Sequence, residues 1–296
     1  MIRIIDGVAY LGQPGDHLDV RAHQLGNGHI EVTGSRRLDW QELEWTRDQV
    51  ADHEAVMERY REENADELRE RSIKSAARRA KTRVRRLCKA MGVDTMLTLT
   101  YRANQTDLAL CKRHLKEFNR RLLRVMPGLC FVAAFEPQER GAWHVHLATT
   151  RVPRSIIVNG REAVYDKNAR ARVSVKSYDA IRNVWRGVVG DLGGTVNVAR
   201  RKFHSKNTPA QIASYIAGYI VKEFAAGERW SNRWTKFGDI DVPPPVVLGS
   251  VSTVMDCLEV SFSLLHEAAS VVKMHLNKWR DSFYLAAENM PRLVSS

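Results

Sequence analysis

The run Glu136-Pro-Gln-Glu-Arg-Gly-Ala-Trp-His144-Val-His146-Leu sets two imidazoles at alternate positions, with a carboxylate upstream. Side chains alternate faces along a strand, so His144 and His146 point one way and Trp143, Val145 and Leu147 the other. If residues 130–136 and 143–149 form a hairpin turning near Arg140, Glu136 falls across from His144. Two histidines and a carboxylate can chelate one cation and leave positions open for a substrate oxygen and water. Gln138 and Glu139 are alternative third ligands, placed in the turn. Mg²⁺ or Mn²⁺ suits such a site better than zinc if the substrate is a phosphate, which favours hard cations. Taken alone, His-x-His recurs by chance roughly once in three chains of this composition, and two histidines on a polar sheet face are its ordinary account.

A second constellation is more selective. Thr208-Pro209-Ala-Gln211 reads as a helix start, with Thr as N-cap, Pro in the first turn and Gln three residues after the cap. In the helix that follows, Tyr215, Tyr219 and Lys222 stand at i, i+4 and i+7 and so share a face. Ile212, Ala213, Ile216, Ala217, Ile220 and Phe224 occupy the broad opposite side, which suits packing on a sheet. That face offers two hydroxyl nucleophiles and a cation. A phenol of pKa about 10 is a poor nucleophile at neutral pH unless its phenolate is stabilised, and a lysine together with a metal-polarised phosphate would do that.

The elements that must hold these groups follow from periodicity. Residues 96–101 read as a strand, and Thr106 suits the N-cap of a helix carrying Leu108, Cys111, Leu115, Phe118, Leu122 and Val125 inward. Residues 174–189 read as a second helix and residues 194–199 as a further strand. The order β-α-β-β-α-β plus one more helix predicts an α+β fold, with a ferredoxin-like (RRM-like) antiparallel sheet, helices on one face and helical flanking regions. Three regions are expected. Residues 1–92 hold short strands around an Asn27-Gly28 turn, then a helical segment from Leu38. Residues 93–240 hold the catalytic domain, and residues 241–296, after Pro243-Pro-Pro, form a helical tail over 254–287.

The chain has 296 residues, a net charge of +12 and a pI near 9.7, a balance that suits a polyanionic partner. The basic run Arg78, Arg79, Lys81, Arg83, Arg85, Arg86, Lys89 is either a solvated helix face or a phosphate-tracking surface. Downstream, Arg229, Trp230, Arg233, Trp234 and Lys236 interleave cations with aromatics that could stack on unpaired bases, and Arg200, Arg201 and Lys202 could line the same groove. Cys88, Cys111, Cys130 and Cys257 are scattered and read as reduced thiols. No stretch approaches the roughly 18 apolar residues of a membrane span, and the N-terminal apolar patch is too short for a signal peptide, so a cytoplasmic protein is expected. No phosphate-binding loop of a nucleotide-driven motor is present.

Leu97-Thr-Leu-Thr-Tyr101, Glu136…His144-Val-His146 and Tyr215-x-x-x-Tyr219-x-x-Lys222 occur in the order of three motifs of the HUH endonucleases. The chain resembles the rolling-circle replication initiators of phages and plasmids within that family, in their two-tyrosine form, over about residues 94–224. The resemblance implies that Glu136, His144 and His146 bind Mg²⁺ or Mn²⁺ and that Tyr219 attacks the scissile phosphate. It also implies that Tyr215 is a second nucleophile at termination and that Lys222 contacts phosphate or tyrosine. The partner implied is single-stranded DNA at a replication origin, in the cytoplasm of a prokaryotic host that supplies helicase and polymerase. Two other readings compete: a transposase or relaxase of the same class, and a non-catalytic nucleic-acid-binding module. A metal hydrolase without a covalent step is a third, in which both tyrosines would be dispensable.

Overall fold

The structure is a computed structural model and describes residues 1–156, 165–166, 171–172, 175–200, 209–226, 234–265, 269–277 and 282–289. Strands β1 (Ile2–Ile5), β2 (Val8–Gly26) and β3 (His29–Leu43) come first, followed by helices α1 (Arg47–Glu63) and α2 (Ala65–Ala90). Next are β4 (Thr95–Tyr101), α3 (Leu108–Val125), β5 (Phe131–Pro137) and β6 (Trp143–Thr149). Two-residue strands β7 (Ser155–Ile156), β8 (Tyr165–Asp166), β9 (Ala171–Arg172) and β10 (Val175–Lys176) precede α4 (Ser177–Val189), β11 (Gly194–Arg200) and α5 (Pro209–Ala226). The chain closes with β12 (Trp234–Phe237), β13 (Val246–Val251), α6 (Val254–Ser263), β14 (Ala269–Leu276) and β15 (Ser282–Asn289). These elements make a mixed α+β structure with antiparallel sheets. It divides into Ser75–Val242 and a unit that joins Met1–Lys74 to Pro243–Ser296.

In Ser75–Val242 five strands pair antiparallel in the order β11-β4-β6-β5-β12. Leu97, Leu99, Phe131, Phe135, Val145 and Leu147 line one face and meet Leu115, Phe118 and Leu122 of α3 and Ile181 and Trp185 of α4. Asp107, not the expected Thr106, caps α3: its carboxylate accepts from the N–H groups of Ala109 and Leu110 at 2.7 and 3.0 Å. The Thr106 carbonyl instead accepts the Trp143 indole N–H at 2.8 Å. Trp185 donates its indole N–H to the Thr100 carbonyl at 3.0 Å. A Cβ at Gly194 would stand 2.6 Å from that indole nitrogen, so β11 needs glycine where it passes.

The other sheet face is covered too, which corrects the expectation of helices on one face only. Val132, Ala134 and Ala148 pack against Ala213, Ile216 and Ala217 of α5 and Val84, Leu87 and Cys88 of α2. The cause is visible in β5, where Phe131, Val132, Ala133, Ala134 and Phe135 are all buried. A strand apolar on both sides needs cover on both sides.

In the other unit the Asn27-Gly28 turn does join two strands, with φ of 49° and 77° at its central residues. The strands are long rather than short, and β3 continues to Leu43 where the sequence predicts helix from Leu38. Trp40 pairs with Gly12 and lies under the Arg3 guanidinium at 4.6 Å, contacts that hold residues 38–43 extended. The helical tail is likewise corrected: α6 ends at Ser263, and β14 and β15 form a hairpin whose second strand pairs with β3. Leu285 lies beside Val32, so the two chain ends build one core with Leu18, Val20 and Cys257.

Candidate metal and nucleophile site

The hairpin register sets Glu136 opposite His144, and Ala134 opposite His146. On the far side of β6, Thr98 pairs with His146. Alternation then aims Glu136, His144, His146 and Thr98 at the face covered elsewhere by α5 and α2. A cleft of about 780 Å³ opens at this end, lined by Thr100, Glu136, Gln138, Glu139, Arg140 and His144 among others. Gln138 lies in the turn, held by Arg140 at 3.1 Å and by its own N–H on the Ala142 carbonyl. Glu139 is exposed.

His146 is 8% exposed, and its ring is gripped at both nitrogens. Nε2 lies 2.8 Å from a Glu136 carboxylate oxygen and Nδ1 lies 3.2 Å from the Thr98 hydroxyl. A carboxylate only accepts, so in neutral His146 the proton sits on Nε2 and the Thr98 hydroxyl donates to Nδ1. Burial lowers the His146 pKa below its ordinary value, against an opposing pull from Glu136. His144 is lowered as well, first by burial and then by His146 and Arg140. Both rings are thereby biased to the neutral form that ligates metals. Their centroids are 6.3 Å apart.

The donor set fits a divalent cation: two neutral imidazoles and a carboxylate beside an open cleft. The present side-chain geometry is closed, however. Among the described residues no group of three His, Cys, Asp or Glu is disposed around a common point. The Glu136 oxygen occupies the direction in which the Nε2 lone pair would reach a cation, so binding requires Glu136 to release His146. With Nε2 as ligand the ring proton moves to Nδ1, and Thr98 then accepts it. The sequence does not single out Thr98; the Thr–Leu alternation in β4 is the available signal, but its pairing with His146 is a matter of register.

Helix α5 packs on β5 and β6, on the same sheet face as the histidines. Ala213, Ile216 and Ala217 are buried there, while Tyr215 is 57% exposed. Tyr219 and Lys222 lie four and seven positions further along the same helix, and their side chains fall outside the described residues. Arg200 ends β11, its side chain likewise outside, as are Arg201, Lys202, Arg229, Trp230 and Arg233. Trp234 is half-buried against the α2–α5 core, with the Arg83 guanidinium 5.8 Å from its ring centroid.

Residues 94–224 match the model of a family of replication-associated proteins, the ORF2 type. That stretch runs from the start of β4 into α5 and includes Glu136, His144, His146, Tyr215, Tyr219 and Lys222. The match supports a role in DNA replication, with DNA as partner and nuclease activity as the general kind of chemistry. No curated protein and no solved structure matches the chain. No helix among the described residues is long and apolar enough to cross a membrane.

Proposed function

We propose that the chain nicks and rejoins single-stranded DNA at the origin of a phage or plasmid through a covalent 5′-phosphotyrosine, as the HUH endonucleases it resembles do. The observation that carries this reading is the shared sheet face: Glu136, His144 and His146 sit on the side of β5 and β6 where α5 packs, and α5 holds Tyr215, Tyr219 and Lys222. The sheet order supports a ferredoxin-like core, because β4, β5, β6 and β11 taken as strands one to four lie in the order 4-1-3-2.

Glu136, His144 and His146 would hold Mg²⁺ or Mn²⁺, which when bound draws charge from the non-bridging oxygens of the scissile phosphate. The Tyr219 oxygen forms its bond to phosphorus as the bond to the 3′ oxygen breaks. The phenolic proton is lost, and the leaving oxygen takes a proton to become the 3′ hydroxyl that a host polymerase extends. One phosphodiester replaces another, so rejoining needs no nucleotide cofactor. Lys222 stabilises the phenolate or a neighbouring phosphate. Tyr215 attacks in the second strand transfer, at termination. A host helicase opens the duplex, in the cytoplasm of a prokaryote.

The test is incubation of the chain with labelled single-stranded oligonucleotides tiling its own replicon, with Mn²⁺ or with EDTA. A covalent protein–DNA adduct is expected with Mn²⁺ alone, lost in Tyr219→Phe and retained for the first cleavage in Tyr215→Phe. Loss only in Tyr215→Phe reverses the order of the tyrosines. Cleavage without any adduct points to a hydrolase, and binding without cleavage in any metal points to a binding module.

A further inference from the structure

The basic run of α2 faces an element that the sequence does not bring near it. Arg78, Arg79, Thr82, Arg83 and Arg86 form one wall of a cleft of about 600 Å³, and Lys236 and residues 240–242 form the other. Five cations thus line the cleft beside one carboxylate, Asp241. The first half of α2 balances its charge internally: Arg71 pairs with Glu67 and Lys74 with Glu70, four residues apart. Residues 75–90 contain no Asp or Glu, so this pairing is closed to Arg78, Arg79 and Arg83. On α3, by contrast, Arg120 and Arg121 both close on Glu117 at 2.7 and 2.6 Å.

The cleft also has a direction. Lys236 pairs with Val132 and Trp234 with Ala134, on the strand that carries Glu136. Val132 and Glu136 are four residues apart on one face, about 13 Å along the strand. The cleft floor is Leu87 and Ile240, buried in the core under α5. Guanidinium groups spaced along one helix face above an apolar floor match the alternation of phosphate and sugar in a nucleic-acid strand.

We infer that the cleft between the second half of α2 and residues 234–242 binds the phosphodiester backbone of a single DNA strand, on the side of the sheet that holds Glu136. This contact requires no cation and no tyrosine, and it carries affinity rather than sequence choice. It also explains why arginines without acidic neighbours on their own helix are concentrated in this half of α2.

The probe is a fluorescein-labelled oligothymidylate of about twenty nucleotides, with its affinity for the full chain followed by anisotropy in EDTA over a salt series. In Arg78→Gln/Arg79→Gln/Arg83→Gln we expect roughly tenfold or greater weakening near 0.1 M salt, with the log–log salt slope smaller by about 0.7 for each contact removed. Arg78→Gln/Arg79→Gln, which leaves the Arg83–Trp234 contact intact, should show the larger part of that change with an unchanged circular dichroism spectrum. Arg113→Gln/Lys116→Gln/Arg124→Gln removes the same formal charge from exposed positions of α3 and should keep wild-type binding. The inference is overturned if the α2 variants bind as wild type, if the α3 variant loses as much, if only duplex binding falls, or if the wild-type chain does not bind the probe. Nicking plays no part in this readout, so an absent tyrosine adduct would sink the nicking reading and leave this one standing.

Discussion

His146 is the residue on which the candidate site turns, because both of its nitrogens are committed. Thr98→Val removes the hydroxyl at Nδ1 and leaves the ring free to misorient. Partners of this kind are worth about 10–100-fold in metal affinity, so calorimetric titration with Mn²⁺ should show a loss in that range, recovered in Thr98→Ser. The pH dependence follows from burial. Both histidines have folded-state pKa values below the ordinary value of about 6.5, so the unfolded chain takes up protons first as the pH falls. Stability from the neutral pair is therefore complete above about pH 6.5 and declines as the pH drops below it. Urea melts at about pH 8 and pH 5.5 should show this loss, and it should shrink in His144→Gln/His146→Gln.

At the scale of elements, α5 reaches the sheet because the residues between them are small. Ala213 and Ala217 meet Ala134 and Ala148, all nearly or fully buried. Ala217→Leu should overpack this seam at a cost of about 1–3 kcal/mol, read as a lower urea midpoint. Under the proposed mechanism adduct formation should fall with it, since the helix carries the tyrosines. The inward side of α5 is legible in its Ile and Ala positions, because a helix face follows from local spacing. The hairpin that sets Glu136 across from His144 is legible for the same reason: a short turn fixes its own register. The second covered face of the sheet is less so. The apolar run in β5 signals it, but nothing local says which helices provide the cover.

For the molecule as a whole, the two units have separate apolar cores, one around Leu285 and Val32 and one around Phe118 and Trp185. Calorimetry of the full chain should resolve two contributions to unfolding. Leu285→Ala, at about 2–5 kcal/mol, should lower one of them, and Phe118→Ala, at about 3–5 kcal/mol, the other. The net charge of +12 makes DNA affinity salt-dependent in any reading.

Spacing within the chain is sufficient for the histidine pair, the tyrosine helix, the Asn27-Gly28 turn and the helix positions of α3 and α4, since each depends on periods of two or 3.6 residues and on turn chemistry. The strands Ala269–Leu276 and Ser282–Asn289 read locally as helix, because they exist through pairing with β3 at the opposite end of the chain. The same holds for Thr98 against His146 and for the arginines of α2 against Lys236. Contacts between distant segments are chosen by which backbone edges and apolar faces still need partners once the local elements have formed, and only the folded chain makes that choice.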